Sequence, residues 1–245
     1  MEGYRIIDRS FRDSSLGNME DYPGGFVMVV DKPYGWTSAD VVRKIKFALQ
    51  RKFGLRNLKV GHAGTLDPLA TGILLLCIGK ATKAAESLQA ERKEYIAEIT
   101  FGATTPSFDK EKEVDAHYPF EHITREALES ALASMKGEQD QMPPVFSAKY
   151  VDGVRAYEQA RQGIEVELKP SRITVYDTEL LSFELPVSMV RIACSKGTYI
   201  RSFARDIGVA VGSGAYLTGL CRTASGGFSI GNALTMEEIE SILVR

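Results

Sequence analysis

In "KVGHAGTLDPLATGILLLCIGKATK", Asp67 sits between two glycine-punctuated stretches, immediately ahead of an apolar run. A carboxylate so placed can move a proton, attack carbon or bind a metal. Taken alone, "LDP" is a turn. Asp favours turn starts, Pro fixes its own φ, and the residue before Pro is pushed to extended geometry. His62 supplies a lone imidazole in the same segment, and a lone histidine is more often structural than functional. Lys80 and Lys83 follow in "GKATK", which is not a P-loop, because the first glycine is missing and Ala81 stands where a hydroxyl residue is needed. No Rossmann fingerprint follows the opening strand. His117 and His122 lack the spacing of a zinc helix, and no Cys pair accompanies them. A "GxSxG" elbow is absent too, although spacing alone leaves a dispersed Ser-His-Asp set open. What remains is a carboxylate for which the sequence implies neither metal nor cofactor.

Such a group needs elements to hold it. "GGFVMVVDKP" reads as a continuous strand buried on both faces. "GWTSADVVRKIKFALQRKFG" reads as a helix with Ser38 as N-cap, Asp40 in the first turn, and Gly54 at its end. Val41, Ile45 and Leu49 recur at helical spacing and leave the basic residues on the opposite face. After the Asp67 segment, "AAESLQAERKEYIAEITFG" passes from a short helix into a strand. "TREALESALASMKG" is a helix capped by Thr124 and closed by Gly137, with Leu128, Leu132 and Met135 as its stripe. "QMPPVFSAKYVDGVRAYEQARQG" combines a Pro-Pro break, a short strand, a hairpin turn at Asp152-Gly153 and a short helix. Strands in "RITVYDTELLSFEL" and "SMVRIACSKG", a helix in "YIRSFARDIGVAVG" and a last strand in "AYLTGLCRTASGGFSI" complete the chain. Intermingling without regular βαβ alternation argues for α+β with a mixed sheet.

With 245 residues, 44% of them hydrophobic, the chain can bury one large core or two small ones. The charge-mixed segment 1–24 reads as a loosely ordered polar leader without a signal-peptide core, and 25–245 as the working domain. "ILLLCIG" is too short to span a bilayer, so no membrane association is expected. Cys77, Cys194 and Cys221 are odd in number and widely separated, which suits buried free thiols in the cytoplasm. The net charge of −2 is not that of a nucleic-acid binder. Locally, however, Arg43, Lys44, Lys46, Arg51, Lys52, Arg56 and Lys59 follow Asp40 with no further acid among them. That segment is either a solvated helix face or a stripe that tracks phosphates.

In chain order, "DKPYGWTS", "GHAGTLDPLATGILLLCIGKATK", "KEYIAEITFGATT", "MPPVFSAKYVDGVRAYEQAR", "CSKGTYIRSFARDIG" and "LCRTASGGF" resemble successive blocks of the TruB family of tRNA pseudouridine-55 synthases. The resemblance implies the pseudouridine synthase fold, a mixed and mostly antiparallel sheet with flanking helices and a central catalytic cleft. It also implies isomerisation of a uridine in the T-loop of tRNA by a monomer with no cofactor and no metal. By similarity Asp67 is the catalytic group, and Arg201 pairs with it, since an adjacent cation lowers a carboxyl pKa. Tyr95 would stack on the extracted uracil, with Tyr199 and Leu220 completing the base pocket. His62 would help expel the uridine and fill the space it leaves, at an unstacking cost of a few kcal/mol. Lys80 and Lys83, with the basic helix, are the candidates for phosphate contacts.

Three features depart from the family pattern. With the sequence read as ending at "LTMEEIESILVR", the C-terminal RNA-binding PUA domain that members usually carry is expected to be missing; Cys221 stands where arginine is common; and Phe146 replaces the usual Tyr of "PPVFSA". Two other readings compete: a tRNA-folding chaperone with incidental catalysis, and a synthase acting on other RNAs that mimic the T-loop. The presence of both Asp67 and Arg201 favours the enzyme.

Overall fold

The structure, a computed structural model, describes residues 3–11, 15–147, 150–151, 154–155, 159 and 168–244. In chain order the first elements are β1 (Arg5–Ile7), β2 (Phe26–Lys32), α1 (Ser38–Phe53), β3 (Val60–His62), β4 (Ala70–Ile78) and α2 (Ala85–Ala90). Then come β5 (Lys93–Phe101), β6 (Ala103–Thr104), β7 (Ala116–His117), α3 (Arg125–Ser134), β8 (Gly137–Gln141), β9 (Tyr150–Val151) and β10 (Val154–Arg155). Last are β11 (Ser171–Glu184), β12 (Val187–Cys194), α4 (Ile200–Ala210), β13 (Ala215–Ser225), β14 (Phe228–Ser229) and α5 (Met236–Val244). The chain divides into two compact units, Met1–Glu94 with Cys221–Arg245, and Tyr95–Leu220. No described helix is long and apolar enough to cross a membrane.

In the first unit β1 runs parallel to β2, while β4 is antiparallel to both β2 and β3. The unbroken apolar runs of β2 and β4 follow from cover on both faces. Phe26, Met28, Val30, Leu74, Leu76 and Ile78 pack with Val41, Ile45 and Leu49 of α1 and Met236, Ile239 and Leu243 of α5. The alternate residues Val27, Val29, Ile73, Leu75 and Cys77 pack with Ala81, Ala84 and Leu88 on the other side. Period-two alternation thus feeds two cores. The expectation of a loosely ordered leader does not hold for its described part. Arg5–Ile7 pair with Phe26–Met28, and Ile7, Leu16 and Tyr22 join the α1-side core. Scattered apolar residues among charges hid that anchoring.

Helix α1 ends as expected at Gly54, whose φ of 66° is the left-handed conformation glycine adopts without strain. Its start differs. Thr37, not Ser38, is the N-cap: its hydroxyl accepts from Asp40 N and the Asp40 carboxylate accepts from Thr37 N. The reciprocal box needs the three-residue separation between Thr37 and Asp40. Ser38 is thereby released for another task.

The second unit orders its strands β13-β5-β12-β11-β8, with β11 antiparallel to both neighbours. Thr124 caps α3, but the helix stops at Ser134 and Gly137 opens β8. β8 ends at Gln141, shortly before the two prolines, which have no N–H to pair, and the short strand expected between that break and Asp152 is β9, Tyr150–Val151. The expected turn at Asp152-Gly153 and the helix after it lie outside the described residues; the flanking β9 and β10 are paired antiparallel. Ile200, Phe203, Ala204 and Ile207 are the buried apolar side of α4.

Candidate active site

Asp67 lies in the first unit, half-buried, where the chain turns into β4. Ala70 N donates to Asp67 O at 3.1 Å, so Asp67 is the first residue of a turn with Pro68 second, as local chemistry predicts. What the turn's own residues do not supply is the set of donors around it. Ser38 Oγ donates to Leu66 O at 3.0 Å and accepts from Leu66 N at 2.9 Å. Arg222 Nη2 and Nη1 donate to Gly64 O and Thr65 O at 3.1 and 3.4 Å, and its Nε donates to Ile73 O at 2.7 Å. Pro68 O accepts from Gly35 N at 2.9 Å and from Lys32 Nζ at 3.4 Å. Lys32 also donates to Pro33 O and Trp36 O, at 2.9 and 2.6 Å. The carbonyls on both sides of Asp67 are thus occupied, and the turn is held from β2, from α1 and from the end of β13.

Two of these donors are buried cations. Lys32 is completely buried and Arg222 is 2% exposed. Burial lowers the Lys32 ammonium from 10.5 to about 8, against the opposing pull of Asp67 and Asp31. Arg222 reaches the turn because Gly72 lets the strands close: a Cβ there would run into the Arg222 backbone, and its φ is 99°. His62 ends β3. Burial, then the charge of Arg222, lowers its pKa, which keeps the ring neutral. Its buried Nδ1 has no hydrogen-bond partner among the described residues. Among those residues no group of three or more His, Cys, Asp or Glu is placed to hold a metal ion.

Lys80 and Lys83 are exposed and line, with Lys59, a hollow of about 560 Å³ that also touches Tyr22 and Leu58. Lys59 was legible only as one member of the basic run.

Tyr95, Tyr199, Arg201 and Leu220 belong to the second unit. Tyr95 is buried on β5, and Leu220 is half-buried on β13, the next strand. Tyr199 precedes α4, fixed by Gln141: its N donates to Gln141 Oε1 at 2.8 Å, and Gln141 Nε2 donates to its carbonyl at 3.1 Å. Arg201 is 5% exposed, with Nη2 donating to Phe146 O at 3.0 Å and Nη1 to Ser107 O at 3.4 Å. Its Nε lies 3.6 Å from the buried carboxylate of Asp109. Lys32, Ser38 and Arg222, which hold the Asp67 turn, and Asp109, which faces Arg201, are residues that sequence reasoning missed. A lysine closing an apolar strand was the available signal for the first. Nothing marked the others, whose partners are backbone atoms or far along the chain.

The arrangement can present a fixed carboxylate in electropositive surroundings, which suits attack on, or proton transfer at, a bound anionic substrate. The TruB family pseudouridylate synthase N-terminal domain matches residues 50–200. A tRNA pseudouridine synthase B from Phocaeicola vulgatus is 55% identical over 217 residues, 89% of this chain and 92% of that one. One from Parabacteroides distasonis is 52% identical over 223 residues, 91% of this chain and 95% of that one. Among solved structures, a chain of a Cbf5-Nop10-Gar1 complex superposes with a TM-score of 0.67 at 26% identity, over 97% of this chain and 62% of that chain. A chain of an H/ACA RNP bound to a substrate RNA containing 2'-deoxyuridine shares the fold, with a TM-score of 0.63 and 24% identity, over 97% and 61%. This chain therefore spans less than two thirds of either structural relative.

Proposed function

Since the chain belongs to the TruB family of pseudouridylate synthases and has their mixed α+β fold, we propose that it converts a T-loop uridine of tRNA, at position 55, into pseudouridine. The bond from ribose C1' to uracil N1 breaks, the base turns, and a bond from C1' to C5 forms. The C5 proton leaves to solvent and N1 gains one, so atoms balance without a cofactor. Asp67 acts on the ribose or base, and Arg201 steadies its charge. Tyr95 stacks on the flipped uracil, Tyr199 and Leu220 wall its pocket, and neutral His62 occupies the space the uridine vacates. Lys80 and Lys83 take phosphates of the T-arm. The protein works as a monomer in the cytoplasm, with residues 25–245 as the catalytic domain.

The observation that carries this reading is the Asp67 turn: a half-buried carboxylate whose flanking carbonyls are all tied to buried or helix-borne donors. Such over-determination costs side-chain freedom and is expected where the position of one group matters. The test uses a T-arm stem-loop tritiated at uracil C5, in buffer free of divalent metal. Wild type should release tritium, and Asp67→Asn should release at least about a thousandfold less, as expected when the acting group of a catalytic set is removed. Release by both proteins would sink the assignment of Asp67. Salt-sensitive binding of the RNA without release by wild type would favour the chaperone reading.

A further inference from the structure

Beside the Asp67 turn lies a hollow of about 620 Å³ lined by Gly35, Trp36, Asp40, Arg43, Lys44 and Phe47. It has no part in the reaction as described, yet its composition is unusual for a solvated helix face. Phe47 is 69% exposed on α1, and neighbouring Tyr34 is 57% exposed. Asp40, Arg43, Lys44 and Phe47 fall at helical spacing on one side of α1, below Trp36. The Lys44 ammonium sits 5.4 Å from the Trp36 ring centroid. An exposed ring, Phe47, beside a half-buried Trp36 and two cations is what an unstacked base and its phosphate need.

We propose that this hollow is a subsite for an unpaired nucleotide flanking the target uridine, the base stacking on Phe47 and Trp36 and its phosphate meeting Arg43. The inference rests on the synthase reading. Three observations select RNA as the occupant. The cations continue along the chain from Arg43 to Lys59 with Asp40 as the sole acid, and Asp40 is engaged in the helix cap. The two ion pairs on the rim, Arg43–Asp40 and Lys44–Glu240, are solvent-exposed and weak enough to yield to a phosphate. The wall is also continuous with the catalytic turn. Lys32 Nζ bonds both Trp36 O and Pro68 O, and Gly35 N bonds Pro68 O. A strand delivering its uridine to Asp67 therefore has a rigid aromatic ledge along its path.

The experiment measures binding of a fluorescent T-arm stem-loop to wild type, Phe47→Ser, Phe47→Tyr and Arg43→Ala, with thermal melting to confirm that each is folded. Phe47→Ser should bind about five- to tenfold more weakly and Phe47→Tyr near wild type, given the worth of one stacked base. Arg43→Ala should lower the slope of log K against log salt by about 0.7–0.9. In 4-thiouridine-substituted stem-loops, one flanking position should crosslink to the peptide bearing Trp36 or Phe47. Equal affinity of Phe47→Ser and wild type would overturn the proposal. So would an equal loss on a duplex T-stem lacking its loop, or concentration-dependent self-association through Phe47 with RNA binding unchanged. Tritium release by wild type, read on the same RNA, tests the synthase reading separately, because the affinity ratio does not require turnover.

Discussion

Arg222 and Arg201 are both buried guanidinium groups, 2% and 5% exposed, in different units of the chain. Arg222 spends its hydrogen bonds among the described residues on three backbone carbonyls. Arg201 faces a carboxylate, that of Asp109, besides two carbonyls. A carbonyl carries only a partial charge, so Arg222, with Lys32 disposed likewise, leaves the Asp67 turn electropositive. Arg201 has a full anion within 3.6 Å of its Nε. One arrangement shapes a loop and biases its field; the other ties a buried charge to a buried charge.

Removing Arg222 should have the largest effect. Arg222→Met strands the buried Ile73 carbonyl and the part-buried Gly64 and Thr65 carbonyls, at about 1–3 kcal/mol for each group left unsatisfied and the low end for the latter two, or roughly 4 kcal/mol in all. The urea midpoint should fall accordingly, and activity with it. No substitution elsewhere should rescue the loss, because the partners are backbone. A midpoint within about 1 kcal/mol of wild type would mean that water replaces the guanidinium and that the clamp is dispensable.

The Asp109 pair should behave otherwise. Asp109→Asn leaves Arg201 without its buried carboxylate partner and should cost about 3 kcal/mol. The double variant Arg201→Met with Asp109→Leu should recover most of that stability while remaining inactive, since replacing both members of a buried pair by apolar groups is often neutral. Failure of the double variant to recover would erase the distinction between the two cations.

The smallest effect concerns pH. Lys32 titrates near 8, below its ordinary 10.5. Its ammonium ties the Pro33 and Trp36 carbonyls to the Pro68 carbonyl of the Asp67 turn at lower pH and loses a donor as pH rises through about 8. Tritium release should decline there, and Lys32→Met, about tenfold less active at neutral pH from misplacement of the turn, should lack that limb. Stability moves the other way. The unfolded chain binds the extra proton between about pH 8 and 10.5, so the contribution of Lys32 to stability rises with pH across that window. Urea titrations of wild type against Lys32→Met check the sign; a contribution that falls over the window would refute the assignment.

Much of the frame is local and therefore legible in the sequence. The period-two runs of β2 and β4, the Val41–Ile45–Leu49 stripe, the glycine stop at Gly54 and the turn at Asp67 each arise from residues within a few positions of one another. So do the motifs that announce the family. Where sequence and structure differ at that level the difference is also local: at the start of α1 two hydroxyl residues, Thr37 and Ser38, adjoin, and only the reach of Asp40 separates them as N-cap. Tertiary structure alone decided which side chains hold the turn. Arg222 meets Ile73 across 149 positions, and Ser38 meets Leu66 across 28. A donor to a backbone carbonyl leaves no trace in the identity of its partner, since every residue has a carbonyl. The sequence by itself determined that Asp67 would stand in a turn before a buried strand. Only the packed chain decided that the turn would be rigid, because rigidity there depends on donors brought together by the sheet.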